Sequence, residues 1–494
     1  MKKIALKLKR LFFAGLTAAL LLCLCGCVTR TEQGETTLSS AAGTARLILL
    51  LGNNAESAAE GVSVSGGEIV ISEPGEYELS GSLENGRILI RTGEKTGDVT
   101  LILNGVHISC ENGPAIEEQE AGKLILLLPE GTENSVHSGG KEIPAPDPDA
   151  VGAAIQTEDA LVLQGGGSLA VEGFLNNALA GKKELSVLGS TLRISASNCG
   201  VSIAKFVEIR NGIIQITAGN DGLRTHSEKV SGKGDINISG SMLTITAGGD
   251  GIAAEGSLMI SDSKLGITAT GDPELISSKG VKAGGDTSVT DTELTVRSQD
   301  NALHGKGSLK LSGGEMKLNS ALGKGLHYSG DVLLHGELTM DTIAAGNGIE
   351  TDTDLLILAG DIRVTAGGDG LRAGDSGTGE GVFRMEGGLV RVSAAYDALD
   401  AKISMGISGG SLFAAGNSYR MKRFLPDSGQ ATLCAELTEP AEDTIEVCRT
   451  DGSVLDTLDL AYPAGIVYFS SPALNQGEGY ELHSGTGVCA VTAG

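Results

Sequence analysis

Tryptophan is absent from this 494-residue chain, and Phe and Tyr together supply only 3% of it. A chain with no indole and seven Tyr lacks the flat ring platforms on which neutral sugars stack, so any glycan affinity would have to be carried by charge and calcium. Cysteine is sparse. Cys23, Cys25 and Cys27 fall in the first 27 residues, leaving Cys110, Cys199, Cys434, Cys448 and Cys489. That odd, scattered set excludes a disulfide framework. Cys434 with Cys448 is the one plausible pair, with two free thiols as the alternative. Positive charge is also scarce, at 37 Lys and Arg against 62 Asp and Glu, a formal net charge of −25. Bulk electrostatics therefore exclude nucleic acid as a partner. There is no HExxH, Walker A loop or GxSxG elbow, and no zinc-like Cys/His spacing.

Glycine, by contrast, is abundant at 74 residues, without the G-x-y period of collagen. Hydrophobic residues at 40% argue against wholesale disorder. The N-terminus is built as a targeting segment. Lys2, Lys3, Lys7, Lys9 and Arg10 precede an apolar run from Leu11 to Leu22, which is too short for a permanent span. The run ends in Leu24-Cys25-Gly26-Cys27, which resembles the lipobox of bacterial lipoprotein signal peptides. That resemblance implies a signal peptide over 1–27, lipidation of Cys27 and an extracellular chain anchored to the cell membrane. Residues 28–45 are small and polar and read as a tether. Short strands with turn signals follow from 46, and 138–150 form a Pro-rich loop.

From about 151 to 415 one unit recurs, as in IIQITAGNDGLRT, MLTITAGGDGIAA and IRVTAGGDGLRAG. The residue before each Gly/Ala-apolar pair sets the register: Asn177, Cys199, Asp221, Asp250, Lys279, Asn301, Lys324, Asn347, Asp369 and Asp397. The unit is about 22 residues, with three copies carrying a short insertion. Leucine-rich repeats need Leu and Asn positions that are missing here, and RTX repeats run at nine residues. Three short strands and three turns make one coil of a right-handed single-stranded parallel β-helix. Ten coils stacked at about 4.8 Å span roughly 45 Å. The fold class is thus all-β: a β-helix over 46–418, closed by a small β module over 419–494 that covers the last open edge. Alternation places Leu243 and Ile245 inward, Thr244 and Thr246 outward.

Stacking would align equivalent residues in columns. In the turn column, Asp221 and Asp250 are neighbours, as are Asp369 and Asp397, with Asp300 and Asn301 beside the same stripe. Adjacent carboxylates repel, and Ca²⁺ would relieve this. The alternative is a ladder in which each Asx side chain bonds nearby backbone. A second column runs Arg224, Ala253, Lys282, His304, His327, Glu350, Arg372, Asp400. A third runs Arg193, Gln215, Thr244, Gly266, Thr295, Lys317, Thr339, Arg363, Arg391, with Arg297 one position on. These basic and hydroxyl strips suit a linear polymer of acidic sugars, whose carboxylates fit Arg forks. Arg224, Lys282, Arg297, Arg363, Arg372 and Arg391 are the candidate ligand-binding residues. Ordinary solvated strand surface is the competing account.

ITAGNDGLRT, ITAGGDGIAAEG, DNALHGKG, TAGGDGLRAG and the upstream VTLILNGVHISCENGPAI resemble the bacterial carbohydrate-binding-domain β-helix family over roughly 60–415. The resemblance implies an extracellular, pectate-lyase-like β-helix that carries calcium and binds acidic, polygalacturonate-type polysaccharide. It places calcium ligands at Asp221, Asp250, Asp369 and Asp397, and also at Asp300 and Asn301. The chain departs from the family at Lys324, Asn347 and Asn301, where acids are usual, which implies fewer calcium sites in the central coils. The leading expectation is a monomeric, non-catalytic polysaccharide-binding protein. A calcium-dependent polysaccharide lyase, using an Arg or Lys base, is the runner-up. A surface spacer or adhesin is the third reading.

Overall fold

The computed structural model describes residues 45–494 except 94, 96, 140–151, 227–233, 375–380, 418–420, 427 and 486. The signal segment with Cys27, the tether up to residue 44 and nearly all of the Pro-rich loop lie outside the described residues. Among the described residues there is no helix, and the chain winds a parallel β-solenoid of about 13 turns. At the strand spacing of about 4.8 Å that is a rod of roughly 60 Å.

Each coil gives one strand to each of three sheets. Sheet 1 holds 15 strands, most of three residues, such as Leu223–Thr225, Ile252–Ala254 and Val281–Ala283. Sheet 2 holds strands such as Phe206–Arg210, Asp235–Ser239 and Leu258–Ser261. Sheet 3 holds longer strands such as Ile213–Ala218, Met242–Ala247 and Lys264–Ala269. Successive coils pair in parallel and in register, so Leu243 stacks on Leu265 and Ile252 on Val281. In mid-rod, Thr287–Ser298, Leu309–Ser320 and Val332–Ala344 run unbroken from sheet 2 into sheet 3.

The two-residue period drives the winding. Leu243 and Ile245 are each 1% exposed, while Thr244 and Thr246 between them face solvent. Each such aliphatic side chain contributes about 1.5–3 kcal/mol by leaving water. No single coil can bury this face alone, so stability arises from stacking.

The corner between sheets 2 and 3 requires left-handed backbone in coil after coil. Gly189 (φ 73°), Asn211 (54°), Gly240 (58°), Asp262 (49°), Asp291 (45°), Gly313 (73°) and Gly336 (77°) occupy it in turn. Gly pays no Cβ cost there, and Asn and Asp are the side chains that tolerate the region best.

Both ends are closed by antiparallel pairing. At the N-terminal end Val62–Ser65 folds back on Glu68–Ile71, the first strand of sheet 1 to take a parallel partner. At the other end Ala464–Ser470 runs antiparallel to Ser411–Gly416, the last strand of sheet 3, and to Thr432–Ala441. This hides backbone groups that would otherwise template aggregation. A four-stranded antiparallel sheet completes the C-terminal module: Thr444–Arg449, Val454–Asp459, Gly479–Ser484 and Gly487–Thr492. Cys434 and Cys448 are not bonded, and all five described cysteines are free.

The corner account predicts the cost of replacing Gly189, around which an added Cβ would meet open space. Gly189→Ala should destabilise by about 1–2 kcal/mol through backbone strain alone. Gly189→Asn, the residue used one coil later, should lose clearly less. Equal losses in thermal melts of the two variants would refute the account.

Candidate functional site

The turn column lies between sheets 3 and 1, and its registry is as read from the repeat. Asp250 N–H donates to Asp221 Oδ1 at 2.9 Å, and Asp397 N–H donates to Asp369 Oδ1 at 3.2 Å. The same bond joins Cys199 to Asn177 (3.1 Å), Lys279 to Asp250 (2.8 Å), Lys324 to Asn301 (2.8 Å) and Asp369 to Asn347 (2.8 Å). Each Asx side chain therefore satisfies a backbone donor one coil along. This is the geometry of a structural ladder.

The second column also keeps its order, Arg224, Ala253, Lys282, His304, His327, Glu350, Arg372, Asp400. Its cations turn toward the ladder. Arg224 lies 3.4 Å from Asp221, Lys282 3.2 Å from Asp250, and Arg372 3.5 Å from Asp369. Lys279 bonds Asp300, and Lys324 lies 2.8 Å from Glu350. Burial, then the charge of Asp250, pushes the Asp221 carboxyl above the usual range. Burial also raises Asp369. At Asp300 burial acts upward too, but the hydrogen bonds from Lys279 and the Asn301 N–H, with the Lys279 charge, together outweigh it and hold the carboxyl low. His304, buried and beside Lys279 and His327, is pulled down to about 4 and is neutral under ordinary conditions. Among the described residues, His327–Glu350–Asp352 and Glu446–Cys448–His483 are the groups of three His, Cys, Asp or Glu whose ligand atoms lie within 4.8 Å of one another. None of the six turn residues nominated as calcium ligands belongs to either.

The third column departs from its reading at one rung. A register shift between Ser312 and Gly314 places Asp341, rather than Thr339, beside Lys317 and Arg363. Arg363 pairs with Asp361 at 2.8 Å. Arg391 donates to Asp456 Oδ1 at 2.7 Å and to the Thr457 carbonyl at 2.8 Å, clamping the C-terminal module to the rod, and with Arg363 it lines a cleft of about 330 Å³ at that junction. Arg297 remains exposed, with no ion pair among the described residues.

Sequence reasoning missed a groove along sheet 2. It has a volume of about 650 Å³ and crosses six coils, from Ser257 to Arg384. Its rim is a second turn column, Ser257, Asp286, Ser308, Asp331 and Asp354, and its floor includes Met259, Leu333 and Leu356. Met259 is 56% exposed. The rim is itself a ladder: Ser308 N–H donates to Asp286 Oδ1 at 2.8 Å, Asp354 N–H to Asp331 Oδ1 at 3.3 Å and Val382 N–H to Asp354 Oδ1 at 2.8 Å. Unlike Asp221 and Asp250, Asp286, Asp331 and Asp354 are exposed. Lys310 and Arg384 project from the floor, and neither forms an ion pair among the described residues. The signal was present: a Ser or Asp before a strand recurs at 257, 286, 308, 331 and 354, in step with the first turn column.

The family model described as carbohydrate-binding domain-containing protein matches residues 65–325 and 317–435. A carbohydrate-binding domain-containing protein of Acetivibrio thermocellus is 30% identical over 138 residues, 28% of this chain and 48% of that protein. The chain thus spans about half the length of that curated relative. The solved structure of a polysaccharide lyase-like protein from C. thermocellum, 27% identical, covers 51% of this chain and 100% of its own, with a TM-score of 0.45.

The ladder predicts the behaviour of Asp221. Asp221→Asn keeps the Oδ1 acceptor, as Asn177 and Asn347 do, and should melt at or above the parent at pH 7. Asp221→Ala should lose about 1–3 kcal/mol by orphaning the Asp250 N–H. Because the carboxyl is raised on folding, its stabilising contribution is full below the ordinary Asp range and is lost as pH rises through the raised value. The Asn variant should lack that part of the pH dependence of Tm. If Asp221→Asn instead removed a calcium-dependent gain in Tm, Asp221 would be a metal ligand.

Proposed function

The chain belongs to the carbohydrate-binding domain-containing family, and on that premise we propose that it is a non-catalytic polysaccharide-binding rod that lays one linear glycan along the groove of sheet 2. The observation that carries this reading is the repetition of the groove itself. Each of the six coils adds a strand to the floor, and the first five each add a hydroxyl or carboxylate at the rim. Five steps of about 4.8 Å give roughly 24 Å, room for several sugar units in a row. A concave, partly apolar strip with a few fixed polar groups is the usual form of a ligand site, and solenoids present such strips along their length.

The acidic class of the glycan is part of the proposal. Lys310 and Arg384, which form no ion pair among the described residues, would meet sugar carboxylates. Calcium would join the exposed rim carboxylates of Asp286, Asp331 and Asp354 to carboxylates of the polymer, since oxygen-rich sets suit this ion. The cations of the sheet 1 column have less to offer, because the ladder acids already neutralise them. Placement outside the cell on a lipidated Cys27 completes the proposal, supported by the basic segment and apolar run before it.

Affinity electrophoresis in polygalacturonate gels, with calcium and with chelator, tests the reading. The parent should be retarded with calcium and less so with chelator. Lys310→Glu and Leu333→Asp should each weaken binding about tenfold, or 1.4 kcal/mol. Arg224→Ala and Arg372→Ala should leave retardation nearly unchanged. The reverse pattern would move the site to sheet 1. Release of unsaturated uronate, read by ultraviolet absorbance, would show a lyase instead. Labelling with a radioactive fatty acid should mark the parent but not Cys27→Ala.

A further inference from the structure

The C-terminal sheet carries a constellation that the rod does not explain. Its inner face is apolar: Ile445, Val447, Tyr480 and Leu482 are all buried in the module's core. The alternate residues point the other way. Glu446 pairs with His483 and Cys448 with Glu481 across Thr444–Arg449 and Gly479–Ser484, so the four side chains form a square on the outer face. The two carboxylates occupy one diagonal, the thiol and the imidazole the other. Ligand atoms of Glu446, Cys448 and His483 lie within 4.8 Å of one another. His483 Nε2 is 2.9 Å from Glu481 Oε2. Cys448 is only 1% exposed, although it sits on the outer face.

We propose that Glu446, Cys448, His483 and Glu481 form a zinc site. A thiolate, an imidazole and carboxylates are the donors this ion takes, whereas Ca²⁺ and Mg²⁺ select oxygen alone. Tetrahedral zinc ligands stand on the order of 3.5 Å apart, so small side-chain rotations would close the set. Glu481 either completes the tetrahedron or orients His483 through its second nitrogen, as carboxylates do around zinc-bound histidines. The charges also ask for a cation. Two carboxylates flank a thiol, and neither has a Lys or Arg ion pair among the described residues. Burial, and then Glu446 and Glu481, push the Cys448 thiol up. On binding, the S–H proton would pass to solvent as the S–Zn bond forms. The His327–Glu350–Asp352 group differs here, because Lys324 at 2.8 Å and the Asn347 side-chain amide at 2.6 Å already serve Glu350.

The test uses the untagged full chain, zinc by equilibrium dialysis and cobalt as a spectroscopic substitute. One equivalent of zinc per chain should be retained, and Co²⁺ should give a thiolate-to-cobalt charge-transfer band. Cys448→Ser should abolish the band, while Cys434→Ser and Cys489→Ser should keep it. His483→Gln and Glu446→Gln, both outside the core, should weaken zinc at least about tenfold. Circular dichroism matching the parent would separate these losses from unfolding. The proposal is overturned if no stoichiometric metal is held, if the band survives Cys448→Ser, or if His483→Gln and Glu446→Gln leave affinity unchanged.

Discussion

Everything on the surface of this protein follows from one constraint: each coil must stack on the next at the hydrogen-bonding distance of a parallel sheet, about 4.8 Å. That spacing removes the freedom to place an outward residue by itself. Its nearest neighbours are the equivalent residues above and below, so a side chain is tolerated only if its column can satisfy it. Inward, the rule gives layers such as Leu243 on Leu265 and Ile252 on Val281. At the corner between sheets 2 and 3 it gives a succession of Gly, Asn and Asp in left-handed backbone.

The same constraint explains how a chain of net charge −25 carries stacked acids without coming apart. The turn carboxylates between sheets 3 and 1 hold the N–H of the following coil, and Arg224, Lys282 and Arg372 lean in from the adjoining column. Charge and backbone are settled locally, within one or two coils. A residue committed in this way has little left for a ligand. The groove along sheet 2 is different, because its rim acids are exposed and its two cations form no ion pair among the described residues. Two turn columns that look alike in sequence thus differ in exposure, and the proposed function rests on the open one.

Much of this was legible beforehand. The recurrence near 22 residues identified the solenoid, the turn column and the sheet 1 column rung by rung. Where reading failed, the cause was local geometry or distant chain. Thr339 was assigned to the third column because a plain count of residues does not see the register shift between Ser312 and Gly314, which brings Asp341 there. The repeat could not show that Arg391 pairs with Asp456, 65 positions later and outside the coils. The second turn column at 257, 286, 308, 331 and 354 was equally periodic, but only three-dimensional curvature made it the rim of a groove.

Amino-acid order alone determined the coil, its period, its inward aliphatic layers and the fact that like residues would meet, because a two-residue alternation and a fixed repeat leave a parallel stack as the way to bury one face. Tertiary structure alone decided which outward columns are occupied by their own neighbours and which are open. It also decided that Glu446-x-Cys448 and Glu481-x-His483, unremarkable apart, share one face of an antiparallel pair. The reason is physical: periodicity fixes neighbours one coil away, whereas the orientation of a charged side chain depends on partners brought in from elsewhere in the chain.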